Sequence, residues 1–252
     1  MAFYTVVIPT YNDERHITEA LQSVLLQSFT DTEIIIVYDP SADATERIID
    51  EFARDNSKIT VLKNKERLGV AASRNIGMQN AKGEHIAFLD ADDVWNENKL
   101  SKQHELIVNT GCEVCYSSYS FIDENGHSTG RPFIINDSID FNGLLYGNII
   151  GTSTCVISRK IAERFAMNDA YYHEDYVFWL TVLREGYMAR GVTDVLVKYR
   201  LRKGSRSSEK LQMPKHRWAV YRNYLGCSVV KSFWYSSINL IRATIKYAGA
   251  KR

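Results

Sequence analysis

The chain has 252 residues, of which 45% are hydrophobic, so it can form one large α/β domain or two small ones around a buried core. No apolar run reaches the length of about 18 residues that a membrane-spanning helix needs, and no basic region precedes the apolar start, so we expect neither an integral nor a secreted protein. The net charge of +1 hides an asymmetry: residues 1–197 carry 17 basic and 29 acidic side chains and residues 198–252 carry 14 basic and one acidic, which predicts different partners for the two parts.

Four apolar runs in the first part of the chain predict strands that are buried on both faces of a sheet. They cover residues 5–8, 33–37, 59–62 and 86–89. Helical patterns lie between them. This strand-helix alternation is typical of a parallel, doubly wound sheet.

The first helical pattern has an apolar stripe that includes Ile17 and Leu21. Asn12 is the predicted N-cap of this helix, and Asp13 and Glu14 are expected to interact favourably with its dipole. The second pattern follows Asp43, and the third covers residues 69–81.

Ligands of such sheets bind where the strands end and helices begin. The four strands end in the sequences PTYN, YDPSAD, KNKERLG and DADD, so these loops are expected to line one crevice. The last loop places Asp90, Asp92 and Asp93 together, which is costly unless a cation is near. Their oxygen atoms favour Mg²⁺ or Mn²⁺. The alternative is that Asp92 or Asp93 caps a helix from Trp95 onward.

The order of elements changes after residue 95. We expect a helix over 97–108, a strand over 113–122 followed by a hairpin at DENG, and further strands at 154–157 and 192–199. A helix from near Asp175 is expected to stop at Gly186. Cys112 and Cys115 form a C-x-x-C pair, which fits a redox site or half of a zinc site, but ordinary strand cysteines are the preferred interpretation.

The basic tail begins with the polar loop RLRKGSRSSEK and returns to helix beyond Pro214. Its apolar and aromatic side chains either pack on the domain or bind an anionic membrane surface through residues 198–252. No other feature supports nucleic-acid binding, so we expect none. The predicted organisation is therefore residues 1–95 for the parallel half, 96–200 for the mixed half of the same domain, and 201–252 for the basic loop and helices.

Five motifs occur in order: VVIPTYN, VYDPSAD, RLGVAASRNIG, FLDADD and HEDYVFW. Together they resemble the family 2 glycosyltransferases, which are inverting enzymes that use nucleotide sugars and have the GT-A fold. The resemblance covers about the first 200 residues. It implies that residues 1–95 are the nucleotide-sugar-binding half and that residues 96–200 are the acceptor-binding half of the same domain. The remaining stretches look like bacterial enzymes that build O-antigen, capsule or teichuronic acid type polysaccharides.

The resemblance implies a role for each matching residue. Asp175 corresponds to the catalytic base and Asp92 to the ligand of Mn²⁺ or Mg²⁺. Arg67 and Arg74 either reach the nucleotide or stiffen the crevice, and Arg202, like Lys203, either neutralises the diphosphate or lies in a solvated loop. The residues implied in nucleotide-sugar binding are Pro9, Thr10 and Tyr11 for the uridine, Asp39 for the uracil imide, Asp90 for the ribose, Ala91 beside it, and Arg67, Gly69, Arg74 and Arg202.

One departure weakens the match. The family's common D-D-G-S pattern is Tyr38-Asp39-Pro40-Ser41 here, so the first carboxylate is lost and the glycine is replaced. We expect uracil recognition to survive through Asp39. Base specificity is the property that this departure puts in doubt.

The resemblance implies that the chain transfers a hexose from a UDP-sugar to a saccharide on a polyprenyl diphosphate carrier. The expected location is cytoplasmic, at the inner face of the membrane. Two alternatives are a phosphohydrolase with Asp90 as nucleophile and Asp92 as acid/base, and a sugar-nucleotide or glycan-binding protein without catalysis.

Overall fold

One sheet of ten strands runs through the described part of the chain. The structure is a computed structural model that describes residues 2–202 and 213–249. The strands are β1 (Tyr4–Thr10), β2 (Thr32–Tyr38), β3 (Ile59–Lys63), β4 (His85–Phe88), β5 (Val94–Trp95), β6 (Val114–Ile122), β7 (Ser128–Phe133), β8 (Ser138–Ile139), β9 (Val156–Ser158) and β10 (Ala189–Arg200).

Helices pack on both faces of this sheet, because successive side chains of a strand point to opposite sides. In β1, Val7 belongs to one hydrophobic core and Val6 and Ile8 belong to the other. The helices are α1 (Ile17–Leu25), α2 (Thr45–Asp55), α3 (Val70–Asn80), α4 (Lys99–Thr110), α5 (Phe141–Leu144), α6 (Arg159–Arg164), α7 (Glu174–Arg184), α8 (Met213–Ala219) and α9 (Val229–Gly249).

The strand order is β3-β2-β1-β4-β9-β6-β10-β5, with β7 paired to β6 and β8 to β10. The first four strands pair in parallel, as their unbroken apolar runs predicted. The second half is mixed, because β9 runs antiparallel to β4 and β6 whereas β6 and β10 are parallel. The carboxyl ends of β1, β2, β3 and β4 therefore open at one edge.

The predicted N-cap at Asn12 is wrong. Helix α1 begins at Ile17 after His16, and Asn12 has a positive φ of 53°. The backbone N of Asn12 donates to Ser41 Oγ at 2.9 Å, and its side-chain oxygen accepts from the backbone N of Ala42 at 2.9 Å. Asn12 therefore joins the first loop to the second.

A helix start at Asp92 or Asp93 is also wrong. Val94 and Trp95 form β5, which pairs with β10, and α4 begins only at Lys99. The loop after β4 that carries Asp90, Asp92 and Asp93 is called the acidic loop below. Its carboxylates are therefore available for other contacts.

The C-terminal segment is helical beyond Pro214, as predicted, but it is interrupted. A π-helical turn covers Val220–Tyr224, and Gly226 has a φ of 65° before α9 begins. Tyr221 is fully buried, and its hydroxyl contacts that of Tyr176 in α7 at 2.9 Å. Most of the predicted basic loop, including Lys203, lies outside the described residues. Within the described ranges, no helix is both long and apolar enough to cross a membrane.

Candidate active site

A cleft of about 710 Å³ opens at the carboxyl ends of β1, β2 and β4. Its far wall comes from the first turn of α7 and from the C-terminal helices. The structure brings together every site residue that the sequence predicted: Pro9, Thr10, Tyr11, Asp39, Arg67, Gly69, Arg74, Asp90, Ala91, Asp92, Asp175 and Arg202.

Asp39 is buried at the end of β2 and holds the loop before α3. Its Oδ1 accepts from Asn64 Nδ2 at 2.8 Å and from the backbone N of Leu68 at 3.2 Å, and its Oδ2 accepts from the backbone N of Gly69 at 2.8 Å. Gly69 has a φ of 87°, which a residue with a side chain rarely adopts. Asp39 and Gly69 therefore fix the shape of this loop.

Arg67 lies in the same loop and stacks on the first loop. Its guanidinium carbon is 3.9 Å from the centroid of the Tyr11 ring. A cation at this distance over an aromatic face is attracted by the ring. The contact closes one side of the cleft above Pro9 and Thr10.

Arg74 is buried in α3 and connects the two halves of the cleft. Its Nη2 lies 2.5 Å from Asp90 Oδ1 and its Nη1 lies 3.0 Å from Glu174 Oε1. Burial alone would lower the pKa of Arg74, but the carboxylates of Asp90 and Glu174 outweigh it and raise the pKa. Glu174 thus forms a buried ion pair with Arg74.

The position of Arg74 depends on close packing of α3 against β1. A Cβ atom on Gly77 would lie 2.3 Å from Cγ1 of Val7, so only glycine lets the helix approach this strand. The side chain of Asn75 exchanges two hydrogen bonds with the backbone of Met167, at 2.9 and 2.8 Å. These contacts anchor the segment that leads to α7.

Asp92 faces the cleft opposite a basic side chain. Arg202 Nη1 donates to Asp92 Oδ2 at 3.1 Å and to Asp13 Oδ1 at 2.6 Å. Burial, with a further contribution from Asp90, raises the pKa of Asp92 to about 6. Asp13, which was assigned to the helix dipole, instead contributes a carboxylate to the cleft.

Asp93 supports the acidic loop from below. It is buried and accepts hydrogen bonds from Ser153 Oγ at 2.6 Å and from the backbone N of Arg200 at 2.9 Å. The Arg200 side chain donates to the backbone oxygen of Asp92 at 2.7 Å, and Ser153 Oγ accepts from the backbone N of Asp90 at 3.1 Å. Burial raises the pKa of Asp93 well above its usual value, and the neighbouring carboxylates add to this.

Asp175 occupies the first turn of α7 and lines the same cleft. Its Oδ2 accepts a hydrogen bond from Asn148 Nδ2 at 2.9 Å. The side chain is half-buried and lines the open space, so it can accept a proton from a bound molecule. Asn148 orients the carboxylate.

Sequence reasoning missed several side chains that support the site. Asn148 and Ser153 lie in a stretch without regular periodicity, and Arg200 was counted only as part of a basic tail. The signal for Asp13 was present, because it follows the first strand directly in the loop PTYND.

The sequence profile described as Glycosyl transferase family 2 matches residues 5–165. TuaG of Bacillus subtilis (strain 168), whose name assigns it to teichuronic acid biosynthesis, is 33% identical over 230 residues, or 91% of each chain. WfgD of Escherichia coli is named as a UDP-Glc:alpha-D-GlcNAc-diphosphoundecaprenol beta-1,3-glucosyltransferase. It is 30% identical over 252 residues, or 98% of each chain.

Two solved structures share the fold at low sequence identity. S. aureus TarS 1-349 in complex with UDP-GlcNAc has a TM-score of 0.74 at 20% identity, covering 98% of this chain and 73% of that one. The mannosyltransferase PcManGT from Pyrobaculum calidifontis, in complex with GDP-Man and Mn²⁺, has a TM-score of 0.71 at 17% identity, covering 99% and 76%. The predicted GT-A fold is confirmed. The chain belongs to glycosyl transferase family 2.

Proposed function

We propose that this glycosyltransferase moves a hexose from a UDP-sugar to a sugar on a polyprenyl diphosphate, with inversion, in the synthesis of a bacterial surface polysaccharide. The observation that carries the proposal is that Asp90, Asp92 and Asp175 line one cleft. The names of TuaG and WfgD support the product class and the lipid-linked acceptor.

The donor half of the cleft suits a nucleoside diphosphate. Pro9, Thr10 and Tyr11 supply one wall, and the Asp39 carboxylate lies beneath the loop that carries Arg67. Asp90, held by Arg74, is proposed to bond the ribose hydroxyl groups, with Ala91 beside it. TarS, which has the same fold, was solved with UDP-GlcNAc.

The acidic loop also fits a divalent cation. The donor set is carboxylate oxygen, which Mg²⁺ and Mn²⁺ prefer. Over residues 2–202 and 213–249, no group of three or more His, Cys, Asp or Glu side chains is arranged to hold a metal. We therefore propose that Asp92 holds the ion and that diphosphate oxygens complete its shell. Such an ion would stabilise the charge of the leaving diphosphate.

Asp175 is proposed to act as the general base. The acceptor hydroxyl oxygen forms a bond to the anomeric carbon of the donor while the bond from that carbon to the β-phosphate oxygen breaks. UDP departs with the bonding electrons, and the acceptor proton passes to the Asp175 carboxylate. Attack on the face opposite the diphosphate inverts the anomeric configuration.

The C-terminal helix α9 is proposed to contact the membrane that carries the lipid acceptor. Ser232 and Asn239 are buried on its inner face. The outer face exposes a row of large apolar side chains, and residues 210–252 contain no acidic residue. A basic helix with such a row suits an anionic lipid surface. The exposed side chains are Val229, Val230, Phe233, Trp234, Leu240, Ile241 and Ile245.

A donor screen tests the activity directly. The protein is incubated with Mn²⁺, each of several UDP-hexoses, and N-acetylglucosamine linked to undecyl diphosphate, and UDP release is measured. We expect release that depends on both acceptor and donor, with a β-linked product from an α-linked donor. A retained anomeric configuration would contradict the inverting assignment. Binding of UDP-hexoses without turnover on any acceptor would favour the non-catalytic alternative.

A further inference from the structure

Two basic side chains of the C-terminal helices reach the cleft on the side of Asp175. Arg217 comes from α8 and Lys246 from α9, and both line the same open space as Asp175. Neither belongs to the motifs that indicated the donor site, because both lie beyond residue 200.

Aromatic rings hold these two cations in place. The guanidinium carbon of Arg217 is 4.3 Å from the ring centroid of Tyr176, the residue next to Asp175. The Nζ atom of Lys246 is 4.8 Å from the ring centroid of Phe133 and 5.1 Å from that of Tyr119. Side chains packed on rings in this way keep a fixed position.

Arg217 and Lys246 lie close enough for their positive charges to repel each other. Burial and the charge of Arg217 together lower the pKa of Lys246 to about 8, while Asp175 opposes the shift. The Nη1 atom of Arg217 is buried and has no hydrogen-bond partner among the residues that the structure describes. A buried guanidinium donor without an acceptor is costly, and a bound anion would remove that cost.

The cations of the donor half are each paired with carboxylates. Arg202 donates to Asp13 and Asp92, and Arg74 bonds Asp90 and Glu174. Each of them has two carboxylate partners.

We propose that Arg217 and Lys246 form a subsite for the diphosphate group of the acceptor lipid. This inference rests on the proposed function, and it adds a binding site for the acceptor. Since the subsite adjoins the general base, the sugar whose hydroxyl group reacts carries the diphosphate directly. The acceptor is then a single sugar on a lipid diphosphate, and its chain leads toward the apolar outer face of α9.

A binding experiment separates this subsite from the donor site. Decyl diphosphate is titrated into the full chain in the presence of Mn²⁺ and saturating UDP, with decyl glucoside as the neutral probe for the alkyl chain. We expect Arg217→Gln and Lys246→Gln each to weaken decyl diphosphate binding by about 10- to 100-fold, as loss of a charge-assisted hydrogen bond predicts. Decyl glucoside binding and UDP affinity should not change. Lys215→Gln is the matched control, because Lys215 is exposed and lies on α8 with Arg217.

Three results would overturn the proposal. The first is decyl diphosphate affinity in both variants equal to that of the wild type. The second is equal loss for decyl diphosphate and decyl glucoside, which would indicate damage to the alkyl site. The third is displacement of decyl diphosphate by UDP, which would put the anion in the donor half. Absence of UDP binding in the wild type would instead refute the proposed function itself.

Discussion

Arg74 Nη2 lies 2.5 Å from Asp90 Oδ1, and this ion pair joins helix α3 to the loop after β4. Since the same guanidinium also bonds Glu174 at the start of α7, one side chain connects the loop after β4 to α7. Of the two roles that the sequence left open for Arg74, these ion pairs support the stiffening of the crevice.

Replacement of Arg74 should destabilise the protein strongly. Arg74→Gln leaves the buried Glu174 carboxylate without its cation, and loss of one partner of a buried pair costs about 3–5 kcal/mol. Denaturant unfolding at pH 7 measures this value. Arg47→Gln is the control, because Arg47 pairs with Glu51 on the exposed face of α2 and should cost less than about 1 kcal/mol. Equal losses of unfolding free energy in Arg74→Gln and Arg47→Gln would contradict the role of Arg74 in a buried ion pair.

Asp92→Asn should remove the metal-dependent part of ligand binding. In the wild type, UDP with Mn²⁺ is expected to raise Tm more than UDP alone, by mass action on the folded state. In the variant, we expect the two shifts to be equal, because the proposed ion ligand is lost. Asp55→Asn changes an exposed carboxylate of α2 and should behave as the wild type. A full metal-dependent shift in Asp92→Asn would refute the assignment.

Asp175→Asn should separate binding from chemistry. The variant keeps the shape of the side chain and can still accept from Asn148, so UDP affinity should be unchanged. Turnover should fall by about 10²- to 10⁴-fold, the usual contribution of a positioned base. The initial rate of sugar transfer by wild type and variant measures this loss. Normal transfer by the variant would exclude Asp175 as the base.

Lys99 should make stability depend on pH. Its side chain is fully buried, with Nζ 2.7 Å from Gln103 Oε1, and burial lowers its pKa to about 7. The unfolded chain then binds more protons than the folded protein above pH 7, so the free energy that this buried amine costs the folded state decreases as the pH rises. Between pH 7 and 9, the gain is about 2 kcal/mol.

The Lys99→Met variant tests this dependence. The difference in unfolding free energy between wild type and variant should change by that amount between pH 7 and 9, whereas Lys102→Met on the exposed side of α4 should show no such change. A difference that is constant with pH would mean that Lys99 is charged in the folded protein.

The outer face of α9 should bind anionic vesicles. Trp234 and Ile241 are 61% and 59% exposed, so their double replacement by serine removes apolar surface without opening the core. Full burial of one such side chain is worth about 1.5–3 kcal/mol, and we expect the double variant to bind phosphatidylglycerol vesicles at least about tenfold more weakly. Co-sedimentation measures this. Leu26→Ser, at a 73% exposed position, is the control, and equal binding of all three proteins would refute the membrane contact.

The sequence predicted the cleft because parallel strands end at one edge. Tyr11, Asp39 and Asp92 each follow a strand, so topology alone brings them together. Contacts between distant residues were not predictable in this way. Asn148 meets Asp175 across 27 residues, and Arg200 meets Asp93 across 107.

Contact between distant residues also explains why the predicted N-cap at Asn12 is wrong. Asparagine is a favoured capping residue, which is a local preference. In the structure, Asn12 instead bonds Ser41 and Ala42, about thirty residues away in the chain. A long-range contact between two loops overrode the local preference.

The contacts of Arg200 with the acidic loop affect the order in which the site is assembled. It lies at the end of the last strand, yet it donates to Asp93 and to the backbone of Asp92 in the loop after β4. During synthesis, the acidic loop therefore stays without these donors until β10 has left the ribosome. A fragment ending at residue 165, where the family match ends, would lack Arg200 and would leave Arg74 without Glu174. The matched segment therefore lacks contacts of the acidic loop and of Arg74, which are made only after Glu174 and Arg200 have joined the fold.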